Sequence, residues 1–378
     1  MEVFNLNEFR DARVPSEAEV MASWQENVER PVVSIVCLTY NQERYIDDAI
    51  RGFLIQKTDF PFEIIVNDDA STDSTAEKIR EYWRKYPKII KPIIQKENQY
   101  SKSPYGLLCK VIQETRGNYI ALCEGDDFWI TTDKLQRQLN AMQDNPEIKI
   151  CFHRNFQGNT DKGEEAFFET PRSRFLYPNR QSILSTKVII LGDGDYMHTA
   201  SIMMTRDAMD NLPGWLSDCP FGDYFIQIMG AADSGALYIP ELMSFYRMTA
   251  VGSWSSRKII PESQHRLICQ MHHSLKVLNQ ELKGRYETEI SIMLEKLRHH
   301  YLSEISNVLF LKDSPDSPIK KFMPRLMRYF FTRYIPISSR MRTQYTKLKR
   351  YLIIKHSILT LRQQVHRHSL SSRPGPRY

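Results

Sequence analysis

No stretch of this 378-residue chain reaches the roughly 18–20 consecutive apolar residues that a spanning helix needs, so none is expected. The opening "MEVFNLNEFRDARVPSEAEV" has early acids and no apolar core segment, and no secretory signal peptide is expected there. Cysteine is sparse. The six residues Cys37, Cys109, Cys123, Cys151, Cys219 and Cys269 form no C-x-x-C pair and have no histidine at ligand spacing. That argues against a zinc site or a disulfide framework and makes a reducing cytoplasm the expected compartment. Cys37 and Cys123 fall in apolar runs, where cysteine behaves as a small hydrophobe. No G-x-G-x-x-G follows the first strand-like run and no Walker A sequence occurs, so the usual glycine-rich phosphate cradles are missing. Acid is also missing from one region. Between Ser317 and Tyr378 there are fifteen Lys or Arg and no Asp or Glu, giving a formal +15. With +6 for the whole chain, the remaining residues carry −9, so positive charge belongs to the tail alone.

The remaining composition, 42% hydrophobic and 25% charged, is that of a globular protein long enough for one large domain with an appendage or for two domains. After a polar lead-in over 1–30, with a short helix expected in "PSEAEVMASWQENV", the pattern becomes regular. Strands are predicted at 32–40, 62–68, 88–95, 118–124 and 147–153, and helices at 42–56, 71–86, 105–117 and 133–145, with Gly117 closing the third. The strands are near-continuous apolar runs joined through helices. That is the pattern of a mainly parallel α/β sheet with helices on both faces. The 154–198 stretch breaks into loops and short strands. A strand leading into a short helix is predicted at 198–207, a helix at 221–233, two short strands bent at Pro240 over 235–249, and helices across 262–312.

Ligands of such sheets bind outside the carboxyl ends of the strands. Three polar clusters fall there: "TYNQE" after the first strand, "NDDAST" after the second and "EGDD" after the fourth. Paired carboxylates at a strand end suit Mg²⁺ or Mn²⁺, which take one or two carboxylates together with waters and substrate phosphates. Asp126 and Asp127 fit that description, with Glu124 as an outer partner, although a loop leading into the caps Thr131, Thr132 and Asp133 reads equally from the sequence. Asp68 and Asp69 suit hydrogen bonds from a base or ribose, or an Asx-turn into the next helix. Asn41 and Glu43 suit the same pocket, or caps for the 42–56 helix. Asp223 follows Gly222 at a helix start, where an N-cap is the local alternative.

The three segments "VSIVCLTYNQERYIDDAI", "FEIIVNDDASTDSTAEKI" and "GNYIALCEGDDFWITTDKLQRQ" resemble the N-terminal signatures of family 2 glycosyltransferases, over roughly residues 31–250. Their order is strand–TYN, strand–DDAS about 28 residues on, and strand–DD about 58 further. The resemblance implies a GT-A fold: a Rossmann-like, mixed, mainly parallel sheet flanked by helices. It also implies a nucleotide-binding half (31–150) and an acceptor half (151–255), followed by a helical region (256–316) and the basic tail (317–378). It assigns Thr39, Tyr40, Asn41, Glu43, Asp68, Asp69, Glu124 and Asp126 to the nucleotide-sugar. Asp126 and Asp127 become the metal-binding pair of a D-x-D-type motif, and Asp223 the base. Glu124 stands where the family often has the first Asp. Thr249 stands where a Tyr-Arg-x-His segment would end in His. His198 is a further residue that could face the site, with a structural role equally open.

The implied activity is inverting, metal-dependent transfer of a hexosyl or N-acetylhexosaminyl group from a nucleotide diphosphate-sugar, a UDP-sugar above all. The acceptor would be a glycan or lipid-linked hydroxyl in cell-surface polysaccharide synthesis. Two other classes are a nucleotidyltransferase-like enzyme, which should show a basic glycine-rich loop near its N-terminus, and a non-catalytic glycan-binding or assembly subunit. The tail mixes Phe, Tyr, Leu and Ile with its basic residues, which suits an anionic membrane surface on the cytoplasmic face better than nucleic acid, for which no reading motif accompanies it. A solvated basic helix packed on the domain is the alternative. Oligomeric state is not encoded in any pattern.

Overall fold

The computed structural model describes residues 4–25, 30–160, 168–169, 177–194, 196–248, 250 and 261–310. The basic tail, Thr249 and the middle of the irregular 154–198 stretch lie outside the described residues. The chain divides into two units, Met1–Tyr301 and Leu302–Tyr378, and of the second only the helix up to Phe310 is described.

The apolar runs form a sheet covered on both faces, its outermost strand partly exposed. β1 (Val33–Thr39), β2 (Phe62–Asp68), β3 (Ile90–Ile94) and β4 (Tyr119–Leu122) lie parallel in the order β3-β2-β1-β4. Two short helices, α1 (Leu6–Asp11) and α2 (Glu17–Met21), precede β1. The crossovers are α3 (Ile46–Leu54), α4 (Thr75–Lys85) and α5 (Pro104–Gln113), the last opened by a Ser103 cap and Pro at its start. Because side chains alternate along a strand, Val36 and Ile65 enter one core with Leu108 and Ile112 of α5, while Ile35 and Ile64 enter the other with Ile50, Phe53 and Ile79. Each face of the sheet thus has its own apolar layer, which holds the strand ends rigid for the loops they carry.

Beyond β4 the sheet becomes mixed. After α6 (Lys134–Gln143), β6 (Ile150–Gly158) is joined to β4 through antiparallel β9 (Met203–Thr205). β10 (Ala236–Arg247) runs parallel to β6, and β5 (Phe128–Trp129) pairs antiparallel with its far end. β7 (Phe168–Glu169) and β8 (Ser182–Leu184) pair with β6 and β10. The remaining helices are α7 (Thr186–Leu191), α8 (Arg206–Asp210), α9 (Gly222–Ala231), α10 (Pro261–Glu281) and α11 (Glu287–Phe310).

Several local expectations are corrected. The two strands expected on either side of Pro240 are one twelve-residue strand, β10, whose register with β6 shifts between Ile239 and Ser244. A proline without an N–H is accommodated at such an irregularity. His198 does not lie in a strand but precedes a 3₁₀ turn, Thr199–Ser201. Helix α5 stops at Gln113, so Gly117 is not its terminus. Gly117 packs instead on Ser34, where a Cβ would come 2.5 Å from the backbone nitrogen. The α1 helix inside the lead-in, and β5 directly after the acidic cluster, have no counterpart in the sequence reading.

Candidate active site

The first two strands end in backbone that turns sharply away from the sheet. Asn41 (φ 53°) and Ala70 (φ 62°) both take the left-handed conformation, routine for Asn and strained for Ala. The two loops brace one another. The Asn41 N–H donates to Ser71 Oγ (2.8 Å), and its side-chain oxygen accepts from the Thr72 N–H (2.8 Å). Glu43 Oε2 accepts from the Ser74 N–H (2.9 Å), and the Gln42 N–H donates to Thr75 Oγ1 (2.9 Å). Asn41 and Glu43 therefore secure the start of α4, not of the helix that follows them.

Asp68 and Asp69 diverge. Asp69 accepts the backbone N–H groups of Gln99 (2.7 Å) and Tyr100 (2.9 Å), one on each oxygen, and so fixes the loop after β3. Asp68 accepts the Ser71 N–H on Oδ2 (3.1 Å), while its buried Oδ1 has no hydrogen-bond partner. Burial raises the Asp68 carboxyl above its ordinary value. The buried Thr39 Oγ1, Gln42 Oε1 and Asn67 Nδ2 also lack partners at this edge. Polar atoms buried without partners are costly, and a cluster of them at one edge fits a polar ligand. Tyr40, between Thr39 and Asn41, is partly exposed.

The acidic turn follows β4. The Gly125 N–H donates to Leu38 O (3.0 Å), which presses the turn against the end of β1. A Cβ at Gly125 would lie 2.7 Å from the Thr39 side chain and 2.5 Å from Gln42 Oε1, so only glycine permits this approach. Asp126 and Asp127 are buried, and Asp127 Oδ2 has no partner. Burial raises both carboxyls, Asp127 strongly so because Asp126 and Glu124 add like charge. Burial, with the charges of Asp126 and Asp223, pushes Glu124 up to about 8. The structure therefore brings Asp223 into the electrostatic neighbourhood of the acidic turn, across nearly one hundred residues of sequence.

Asp223 occupies the first turn of α9, where an acid is favoured by the helix dipole, and it is not the N-cap, which is Phe221. One turn on, Gln227 Nε2 donates to Met197 O (2.8 Å), pinning α9 beside His198. The His198 ring lies 4.5 Å from that of Tyr246, its Nε2 is buried without a partner, and burial lowers its basicity to about 4. It is a neutral imidazole at ordinary pH.

Arg247, at the end of β10, was missed as a site residue. It is 1% exposed. Its N–H donates to Asp127 Oδ1 (2.8 Å), Nη1 to Asp126 O (2.5 Å) and Nε to Thr160 Oγ1 (2.9 Å), and Nη2 pairs with Asp48. The only sequence signal was its place in "FYRMTAVGSWS". Among the described residues no group of three or more His, Cys, Asp or Glu forms a metal cage. Mg²⁺ or Mn²⁺ bound with a diphosphate needs one or two carboxylates, with water and phosphate completing the shell. Asp126 and Asp127, with the unpartnered Asp127 Oδ2, fit that smaller donor set.

Residues 34–207 match the sequence profile of Glycosyl transferase family 2. An uncharacterized protein of Mycobacterium tuberculosis (strain ATCC 25618 / H37Rv) is 32% identical over 225 residues, which are 59% of this chain and 61% of that relative. The chain thus spans about three fifths of the length of such relatives. The Escherichia coli UDP-Glc:alpha-D-GlcNAc-diphosphoundecaprenol beta-1,3-glucosyltransferase WfgD is 32% identical over 114 residues, 30% of this chain and 42% of WfgD. S. aureus TarS 1-349 in complex with UDP-GlcNAc superposes with a TM-score of 0.58 at 14% identity, covering 78% of each chain. At that identity the likeness speaks for the fold alone. Residues 34–207 carry the sequence of glycosyl transferase family 2, and the sheet that they form together with β10 and its flanking helices has the GT-A fold.

Proposed function

We propose that this chain is an inverting, divalent-cation-dependent glycosyltransferase that moves a sugar from a UDP-sugar to a hydroxyl of a glycan or lipid-linked acceptor in polysaccharide synthesis. The carrying observation is the buried Asp126–Asp127 pair with its unpartnered oxygen, set beside Glu124 and within the electrostatic reach of Asp223. WfgD is named for UDP-Glc, which supports a uridine donor here.

Thr39 and Asp68, each with an unpartnered buried oxygen, take the nucleoside directly. Tyr40, Asn41, Glu43 and Asp69 shape its pocket through the loops they hold. Asp126 and Asp127 hold the cation, which supplies positive charge at the departing diphosphate. Arg247 braces the turn from behind, its backbone N–H on Asp127 Oδ1 and its guanidinium on the Asp126 main-chain oxygen. Glu124, which carries a proton at neutral pH while no cation is present, can donate a hydrogen bond to donor oxygens. Asp223 accepts the proton of the acceptor hydroxyl as that oxygen attacks the anomeric carbon and the bond to the diphosphate breaks. General-base assistance of this kind contributes about 10²–10⁴ in rate. With one base opposite the leaving group, the displacement is single and configuration inverts.

In this reading residues 31–255 are the catalytic domain and 256–316 a helical region. The basic 317–378 tail holds the enzyme peripherally on an anionic, cytoplasmic membrane face, close to a lipid-linked acceptor. The test is a screen of nucleotide-sugars with Mn²⁺ or Mg²⁺, read by nucleotide release. Release that requires the cation and one class of UDP-sugar supports the proposal. Absence of release with every donor, despite a folded protein and a supplied lipid-linked acceptor, contradicts it.

A further inference from the structure

We infer that Arg10, on the N-terminal helix α1, is a positioning residue for the acidic turn. α1 lies outside the region that matches the family profile. It docks by its aromatic side: Phe9 lies 5.0 Å from Phe128, and Phe4 lies 5.8 Å from Phe128 and 6.0 Å from Phe245, ring centre to ring centre. Phe128 directly follows Asp127. From that platform Arg10 grips Asp48 with Nε (3.0 Å to Oδ1) and Nη2 (2.6 Å to Oδ2). Asp48 is buried in the first turn of α3, and its Oδ2 also receives Nη2 of Arg247. Arg247 in turn donates Nη1 to the Asp126 main-chain oxygen and its backbone N–H to Asp127 Oδ1, with its guanidinium 4.6 Å from the centre of the Phe128 ring.

The chain of contacts is Arg10–Asp48–Arg247–Asp126/Asp127, and its charges explain why both arginines are needed. Asp48 alone would neutralise Arg247 in a closed buried pair. With Arg10 on the same carboxylate, the trio keeps a net positive charge, and the Arg247 guanidinium brings it to the Asp126 main-chain oxygen, in the turn that carries both site carboxylates. The Arg10 fork also fixes the rotamer of Asp48, and so the place of the Arg247 guanidinium. Groups that orient metal-binding carboxylates typically change metal affinity by about 10–100-fold when removed. Arg10 acts one link further back, so the lower end of that range is expected.

The inference rests on the reading of Asp126 and Asp127 as the cation–diphosphate site, and the experiment separates the two. UDP binding is titrated with and without Mn²⁺ on the full chain, as wild type, Arg10→Ala, Arg10→Lys and Arg13→Ala. The last breaks an exposed pair with Glu19 elsewhere in the lead-in. Mn²⁺-dependent UDP affinity is expected to fall about tenfold in Arg10→Ala, to be partly recovered in Arg10→Lys and to stay at the wild-type value in Arg13→Ala. Phe9→Ala loosens α1 while keeping the guanidinium, and gives the thermal shift that mere loss of packing produces. If Arg10→Ala lowers thermal stability like Phe9→Ala yet binds UDP as wild type does, the inference is overturned. Amide hydrogen exchange of residues 124–128 without ligand decides the matter independently. Exchange should be faster in Arg10→Ala than in Arg13→Ala, and equal rates overturn the positioning role. A wild type that lacks Mn²⁺-dependent UDP binding refutes the donor-site reading instead.

Discussion

Glu124, Asp126 and Asp127 share one short turn, and all three carboxyls are raised by burial and, for Glu124 and Asp127, by like charge nearby. A raised carboxyl binds its proton more tightly in the folded chain than in the unfolded one. For Glu124, raised from 4.5 to about 8, the stabilisation is complete below pH 4.5 and is lost as pH rises towards 8. A cation that binds the ionised cluster counters that loss. Mg²⁺ or Mn²⁺ should therefore raise the melting temperature by several degrees more at pH 8 than at pH 6, as differential scanning fluorimetry would read. An equal or inverted effect would contradict a cation site at this turn. Two substitutions divide binding from chemistry. Asp127→Ala should abolish Mn²⁺-dependent UDP binding, whereas Asp223→Asn should bind UDP as wild type does and lose about 10²–10⁴ in transfer rate. Wild-type turnover in Asp223→Asn would remove Asp223 from its proposed role. The acidic turn was legible in the sequence because like charges at a strand end need an explanation. Arg247 was not, since one arginine at the end of a long strand has no local pattern, and its partners Asp48 and Asp126 lie more than one hundred residues away.

At the scale of elements, strands β1 to β4 and their crossover helices follow from apolar runs, of which β1, β2 and β4 are buried almost throughout while the edge strand β3 is partly exposed. The expected 62–68 strand is found with the same bounds as β2. The errors fall where local pattern and tertiary contact disagree. β5 has only two residues, too few for a period, and exists because β10 supplies its partner. β10 runs through Pro240 because the sheet absorbs the irregularity. Asn41 and Glu43 serve a helix from another part of the chain, a choice no sequence window contains. Gly125 is the element-level hinge of the account, since its missing Cβ lets the acidic turn reach the end of β1. Gly125→Ala should cost about 1–3 kcal/mol by overpacking in urea unfolding, and should weaken UDP binding as well. Unchanged stability and binding would show that the close approach is not needed.

For the whole molecule, the −9 body and the +15 tail suggest a division of labour between catalysis and placement. Deleting 318–378 should release the protein from anionic liposomes while leaving its unfolding transition and its UDP affinity in place. Equal liposome binding by the shortened chain would refute the tail's role. No described helix is long and apolar enough to cross a membrane, so surface attachment is the part of this proposal that sedimentation with vesicles can test. The central claim, that the edge of β1, β2 and β4 is a cation-dependent uridine diphosphate site, is tested most directly by calorimetric titration of UDP into wild type and Asp127→Ala, with Mn²⁺ and with EDTA. Binding by wild type with Mn²⁺, lost both in EDTA and in Asp127→Ala, is the result the account requires. UDP binding that is indifferent to the cation and to Asp127, or no binding at all, would contradict it.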